Sequence, residues 1–409
     1  MRLVPGGVDL VIVNDEAFES HFPSHFRRVY MDLLPAQGIR TGIVGASEFP
    51  RDAVLEGRVF AVIPKKRTRA LFPRIMYSLQ RLRVLTRLFA THPHLRSATG
   101  VMVVNDPISA LTARLVSRWR RQRFIFRITH LSPEEAIIAN RRGPAPAARI
   151  GKWLRNAVLR RADHVVAMSQ QMLWYFHSVV GVPFTRLTAV PSCVSADDTG
   201  GYMDARAAEV ARALQMYKGR RWLCYLGTLN EVRDVAFLID VLVALLACGH
   251  DCGLVILGVG SETQRDRLTR RATELGVADR VPVYPPIEEV SLPSVLGCVD
   301  VGLSPYPFHR NKALMFNSPL KTLNYLSAGV MVVGTEIPDQ EEVLRLSTGG
   351  LAVPHSVAAF VAAAEALLCL PQLERERRSE AARQWVVRHR SNDIAAARLA
   401  AVVSAHKEK

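Results

Sequence analysis

What most limits the folds open to this chain is a run, made twice, of short apolar segments each followed by a stretch with helical spacing. In the first half such segments fall near residues 8–13, 39–45, 58–64, 100–105, 123–129 and 163–168. In the second they fall near 222–227, 253–258, 280–284, 299–303 and 330–334. A segment such as VMVV (101–104) shows none of the in-out alternation of a half-solvated strand. Strands that are apolar throughout and separated by helices predict parallel sheets covered on both faces. The apolar runs are far shorter than the roughly 18 residues that a membrane-crossing helix needs, so no transmembrane segment is expected. The N-terminus MRLVPGGVDLVIVND lacks the charged, apolar and small-residue order of a secretion signal, which makes the expected location cytoplasmic.

With 409 residues, the chain exceeds what one core normally holds. The stretch PSCVSADDTGGYMDARAAEV (191–210) mixes turn formers with small polar residues, and the domain boundary is placed there. Two α/β domains are therefore expected, over 1–195 and 215–375. The last stretch, 376–409, reads as polar, alanine-rich helix packing along the domains. In open parallel sheets ligands bind beyond the carboxyl ends of the strands, so motifs at those ends carry the functional argument.

Charge separates the halves. Residues 1–200 hold 29 Lys and Arg against 14 Asp and Glu, and the remainder 24 against 23. Nearly all of the formal excess thus lies in the first half, which should prefer an anionic partner. Between Glu56 and Asp106 no acidic residue occurs. Within that window TRALFPRIMYSLQRLRVLTRLFA (68–90) sets apolar residues at helical spacing among arginines. Such a helix suits an anionic membrane face, and it equally suits a core-packed helix with a solvated basic side. No recognisable nucleic-acid module accompanies it. The six cysteines are scattered. Cys248 and Cys252 stand four apart, but no second pair at zinc spacing accompanies them, and no metal site is expected.

Three strand ends in the second half carry the chemistry. YLGTLNEVRD (225–234) ends a strand in Gly227 and places Arg233 where a helix is expected to begin near Asp234, within reach of a phosphate. A solvated surface arginine is the alternative. LVILGVGSE (254–262) offers Gly258 and Gly260, glycines that admit a ligand close to the backbone or simply make a tight turn. The third glycine of the dinucleotide fingerprint is missing. In NSPLKTLNYLSAG (317–329), Ser318 fits the N-cap and Pro319 the first helical position. The N–H groups of Leu320 and Lys321, the helix dipole and the Lys321 ammonium then form a phosphate cradle.

In order and spacing, YLGTLNEVRD, LGVGSE, LGVADRVPVY, CVDVGLSPY, NSPLKTLNYLSAGVMVVGT and GGLAVP resemble the C-terminal domain of glycosyltransferase family 4, retaining GT-B enzymes that use nucleotide sugars. HFPSHFRRVYMDLLPAQGIRTGIV (21–44) and LRRADHVVAMSQQM (159–172) resemble the family's N-terminal domain more loosely. The resemblance implies two Rossmann-like domains facing across a cleft, the first binding the acceptor and the second a UDP- or GDP-linked sugar. It implies no further cofactor and no metal, in keeping with the lack of a D-x-D motif. By the same resemblance Arg233 holds the donor diphosphate, together with the helix start at 318–321. Two glutamates eight apart, which the family sets on sugar and ribose, are replaced by Phe316 and Asn324. An amide offers a diol less than a carboxylate does.

From the first half, His130 ends a strand where such transferases meet the donor sugar or the acceptor. It is the catalytic candidate, against the alternative of a histidine capping the strand. Asp15, with Asn14 and Glu16 beside it, and His25 are candidates for acceptor contact. The implied function is transfer of a sugar, with retention, to a glycan or lipid-linked acceptor in cell-surface polysaccharide or glycolipid synthesis. The protein would sit peripherally on an anionic membrane through 65–96. A nucleotide- or glycan-binding protein without catalysis, and a sugar-nucleotide epimerase of related fold, stand as alternatives.

Overall fold

The computed structural model describes residues 7–17, 27–47, 59–64, 71–91, 93–131, 133–134, 146–195 and 203–405. The chain forms two units, one of residues up to Pro191 with the segment from Asn392 onward, the other Ser192–Ser391.

The first unit is built on seven strands: β1 (Leu10–Ala17), β2 (Thr41–Ser47), β3 (Val59–Pro64), β4 (Gly100–Val104), β5 (Arg123–Ile128), β6 (His164–Ala167) and β7 (Leu187–Ala189). All pair in parallel, in the order β3-β2-β1-β4-β5-β6-β7. The second unit has β8 (Arg221–Thr228), β9 (Cys252–Val259), β10 (Val283–Tyr284), β11 (Val301–Ser304), β12 (Met331–Thr335) and β13 (Gly350–Val353). These are also all parallel, in the order β10-β9-β8-β11-β12-β13. Both orders step outward in both directions from the first strand of the unit, the Rossmann-like arrangement, and each has its switch point beside that strand. The central strands are buried along their length, as β4 is at every residue, because helices cover both faces.

Two strands escape the sequence reading. β7 has three residues and β13 four, and both lie at sheet edges, where β7 buries only Leu187 fully and β13 no residue fully. The closing stretch 376–409 also differs from the single helical pattern. It belongs to two helices, Gln372–Arg390 and Asn392–Ser404, broken at the extended Ser391. The second of them packs in the first unit against Arg28–Ala36, and the Arg123 guanidinium donates to the carbonyl of its Val402.

The arginine-rich stretch of the first half is a helix, Leu71–Thr91. In its described portion the apolar stripe turns inward. Leu85 and Phe89 are fully buried, Leu82 is half-buried, and the helix packs on β3 and on Pro107–Arg120. Arg83 and Arg87 face solvent. Of the two readings of this stripe, the core-packed helix with a solvated basic side describes Leu82, Leu85 and Phe89.

Candidate functional site

A pocket of about 270 Å³ opens at the carboxyl ends of the second sheet. β8 contributes Gly227 and Thr228, the turn after it Arg233, the segment after β11 Tyr306, and the helix Leu320–Ser327 contributes Leu320, Lys321 and Asn324. All of these residues belong to the second unit.

Its floor is cationic and aromatic. The Lys321 ammonium lies 4.8 Å from the Tyr225 ring centre and 4.6 Å from that of Tyr306, and the Arg233 guanidinium lies 5.0 Å over Tyr306. Neither cation forms a salt bridge to a described carboxylate, and Arg233 Nη1 is buried without a hydrogen-bond partner. Burial, reinforced by the charge of Arg233, drives the Lys321 pKa well below its ordinary value. A buried guanidinium N–H with no acceptor is costly unless something fills the site, and the group that fits two converging cations is an anion. The first N–H groups of the Leu320–Ser327 helix have no intrahelical partner and add their dipole to the same place.

Gly227 makes this approach possible. Its φ of +140° lies where side chains are strained, and a Cβ there would come within 3.3 Å of Lys321 Cε and 3.2 Å of the Tyr225 hydroxyl. Behind the helix, the Tyr325 hydroxyl accepts from Leu226 N–H at 2.7 Å and donates to the Cys224 carbonyl at 2.9 Å, pinning the helix to β8. Thr322 Oγ1 donates at 2.6 Å to Gln340 Oε1, whose amide N–H reaches the Thr335 carbonyl at 2.7 Å. The helix that carries Lys321 is therefore fixed by buried hydrogen bonds to β8 directly and to β12 through Gln340.

The structure corrects the expected task of Ser318. The N-cap position is held by Pro319, with no side-chain cap, and the helix begins at Leu320. Ser318 Oγ is buried, donating to Asp339 Oδ2 at 2.7 Å and accepting from Ser192 N–H at 3.0 Å and Arg390 Nη1 at 3.3 Å. Arg390 Nη2 closes the network on Asp339 Oδ1 at 2.8 Å. Ser318 anchors the loop from behind and does not line the pocket. Arg233 likewise ends a 3-10 turn, Glu231–Arg233, rather than starting a helix. Asp234 follows in the left-handed region, and the helix begins only at Phe237.

A family model described as Glycosyl transferases group 1 matches residues 220–369, and one described as Glycosyltransferase Family 4 matches residues 31–198. This is a GT-B glycosyltransferase. No curated protein matches the chain in sequence. Among solved structures, sucrose-phosphate synthase from Thermosynechococcus elongatus is similar with a TM-score of 0.73 at 13% identity, over 98% of this chain and 99% of that one. Anabaena HepE in complex with UDP gives a TM-score of 0.71 at 11% identity, over 97% of this chain and 100% of its own. WaaG, a glycosyltransferase involved in lipopolysaccharide biosynthesis, gives 0.68 at 13% identity, over 96% and 99%.

In this glycosyltransferase the remaining sequence candidates fall in different places. Gly258 and Gly260 do not reach the pocket. A Cβ at Gly258 would meet Leu229 Cδ2 at 2.2 Å, and one at Gly260 would meet Leu229 Cβ at 2.9 Å. What comes close to these glycines is the side chain of the neighbouring loop. They make room for Leu229, and the expectation of direct ligand approach is corrected on that ground. Asn324 lines the pocket one turn beyond Lys321, half-exposed, and its side-chain amide makes no hydrogen bond to a described residue. Phe316 is half-buried in the preceding 3-10 turn.

His130, in the first unit, is exposed just after β5, with Nδ1 3.1 Å from Thr129 Oγ1. Asp15 lies in β1, His25 lies outside the described residues, and Asn14 is fully buried with both amide atoms unpartnered among the described residues.

Sequence reasoning passed over Tyr306 and Thr228, which line the pocket, and the buried Tyr225, whose ring supports Lys321. The only local signal is their place at strand ends, in CVDVGLSPY and YLGT. The aromatic support of two cations needs three loops brought together. The Arg390–Asp339 pair has no local signal, since the partners are 51 positions apart.

Proposed function

We propose that the pocket binds the diphosphate of a nucleotide sugar, and that the enzyme transfers the sugar with retention to a glycan or lipid-linked acceptor in cell-surface polysaccharide or glycolipid synthesis. The observation that carries this reading is the pair Arg233 and Lys321, two half-buried cations with no carboxylate partner among the described residues, at a helix start beyond the strand ends. Bond cleavage at the sugar builds negative charge on the departing diphosphate. Fixed donors aimed at that charge act most strongly in a site shielded from water. Arg233 presents a fork to two oxygens, Lys321 a point charge, and the Leu320 and Lys321 N–H groups complete the cradle. UDP is the first nucleotide to test, because Anabaena HepE was solved with UDP and with UDP-glucose. His130 is the residue of the first unit assigned to the reacting sugar. Asp15 and His25 are assigned to the acceptor, and the diphosphate oxygen of the donor itself is assigned proton removal.

Asn324 favours a second reading, in which the pocket binds a nucleotide and transfers nothing, since a neutral amide stands where the family carries a carboxylate. One experiment separates the two. The protein is incubated with UDP- and GDP-sugars, and released nucleotide and the melting shift are recorded. A donor-dependent melting shift with nucleotide release supports transfer. A shift without release or transfer to any acceptor supports the binding protein, and conversion of free donor without acceptor supports an epimerase. No shift with any donor refutes the assignment of the pocket.

A further inference from the structure

In the first unit, the steps β3 to β4, β4 to β5, β5 to β6 and β6 to β7 all run in one direction across the sheet. Right-handed crossovers therefore set the connecting helices on one face. They pack side by side: Leu71–Thr91 on Pro107–Arg120, that helix on Pro146–Arg161, and the last on Phe176–Val180. Together with Gln170–Tyr175, these segments carry twelve Lys and Arg and no Asp or Glu.

Large apolar side chains point outward from this layer. On Pro107–Arg120, Leu111, Leu115 (62% exposed) and Trp119 (78%) recur every four residues, which is one straight line along the solvent side. Ala110, Ala113 and Ser117 are buried. On the adjacent helix Ile150 (65%) and Trp153 (67%) do the same, and Trp174 and Val179 follow in the next segment. Exposed arginines lie among them, at 83, 87, 118, 149, 160 and 161, and the Arg120 guanidinium sits 5.3 Å over the Trp119 ring.

We infer that this helical layer is a docking surface for an anionic phospholipid bilayer, with Trp119, Trp153, Leu115 and Ile150 entering the interface and the arginines on lipid phosphates. Tryptophan favours the headgroup boundary, where its ring is buried and its N–H stays wet. Arginines extend along the same boundary to reach phosphate. The charge decides the occupant. Three of the cations are paired, Arg114 with Asp163 and Lys152 and Arg155 with Glu134, and the rest still give a second copy of the chain a strongly cationic layer to face; a nucleic acid gives no reason for outward Leu111, Leu115 and Ile150. No single described helix is long and apolar enough to cross a membrane, so the surface lies on the bilayer rather than in it. This surface differs from the amphipathic stripe of the Leu71–Thr91 helix, whose Leu85 and Phe89 are consumed by the core. It also stands apart from the donor reading, because vesicle binding needs no nucleotide.

The full-length protein is sedimented with vesicles of phosphatidylcholine alone, and with equimolar phosphatidylglycerol, at low and high salt. Binding to the anionic vesicles only, reversed by salt, with a blue shift of tryptophan emission, is expected. Trp119→Ala with Trp153→Ala, and separately Leu115→Asp, should each lower partitioning at least tenfold while the melting temperature stays within a few degrees. Failure to bind anionic vesicles, or variants that bind as well as the parent, would overturn the inference. So would a concentration-dependent dimer in light scattering that is lost in Leu115→Asp.

Discussion

Replacing Lys321 by Met keeps a side chain of similar length and removes the charge. The ammonium sits between two tyrosine rings, has no carboxylate partner among the described residues and is repelled by Arg233. Removing a poorly compensated buried polar group gains about 1–3 kcal/mol, and the lost cation–π contacts take back about 0.5–2 kcal/mol. The variant should therefore be no less stable than the parent, and a net gain of about 1 kcal/mol would raise Tm by roughly 2–4 °C for a unit of this size. Binding should move the other way. A charge-assisted contact to phosphate is worth about 1.5–3 kcal/mol, so UDP affinity should fall on the order of 10- to 100-fold.

The pH dependence follows from the same depressed pKa. Above that pKa the free enzyme holds Lys321 neutral, and the diphosphate restores its proton. UDP binding then takes up a proton and weakens as pH rises. For folding, the unfolded chain binds the proton that the fold refuses, so stability rises with pH up to the ordinary lysine value of 10.5. Titration calorimetry in two buffers of different ionisation enthalpy measures the uptake, which Lys321→Met should abolish. A variant with unchanged UDP affinity and undiminished proton uptake would refute the assignment of Lys321 to the diphosphate.

Asn324→Glu should tighten UDP, since a carboxylate on a ribose diol is roughly twice as strong an acceptor as a neutral amide. Unchanged affinity would place residue 324 away from the ribose. Asp339→Asn should cost about 3–5 kcal/mol, because it leaves the Arg390 guanidinium buried without its counter-charge. Denaturant unfolding would show it, and a loss below about 1 kcal/mol would mean water already screens the pair. In the first unit, burial, helped by the charge of Arg123, pushes the His164 pKa down to about 4. Between the unfolded value near 6.5 and about 4, only the unfolded chain takes the proton, so stability falls as pH falls through that window, by roughly 1–3 kcal/mol. His164→Gln, which can keep the 2.9 Å contact with Thr188 Oγ1, should flatten the dependence of Tm on pH over that range.

The parts legible in the sequence are those whose signal is local. Long central strands announce themselves because burial on both faces demands an unbroken apolar run. β13 does not, being short and only partly buried. Arg233 and Lys321 are legible because each stands at a strand end or a helix start. Ser318 is the instructive failure. Its spacing before Pro319 and Lys321 matches an N-cap, yet Asp339 and Arg390, brought in from another helix pair, offer its hydroxyl a buried charged network. Gly258 and Gly260 mislead for the same reason, since the group that needs their space is Leu229 from a different loop.

These tertiary partners also explain how the cationic floor persists. Two like charges in a site shielded from water repel, and a free loop would swing Lys321 out to solvent. The helix start is held instead from behind. Ser318 is tied to Asp339 and Arg390, Thr322 to Gln340, and Tyr325 to the backbone of β8. None of these bonds engages the Lys321 ammonium or the Arg233 guanidinium, so none competes with an incoming phosphate for them. The stability that the unit gains from this buried network is what lets it keep a cation pair that is unfavourable until an anion arrives. Loosening the network through Asp339→Asn should therefore weaken UDP binding even though Asp339 does not line the pocket.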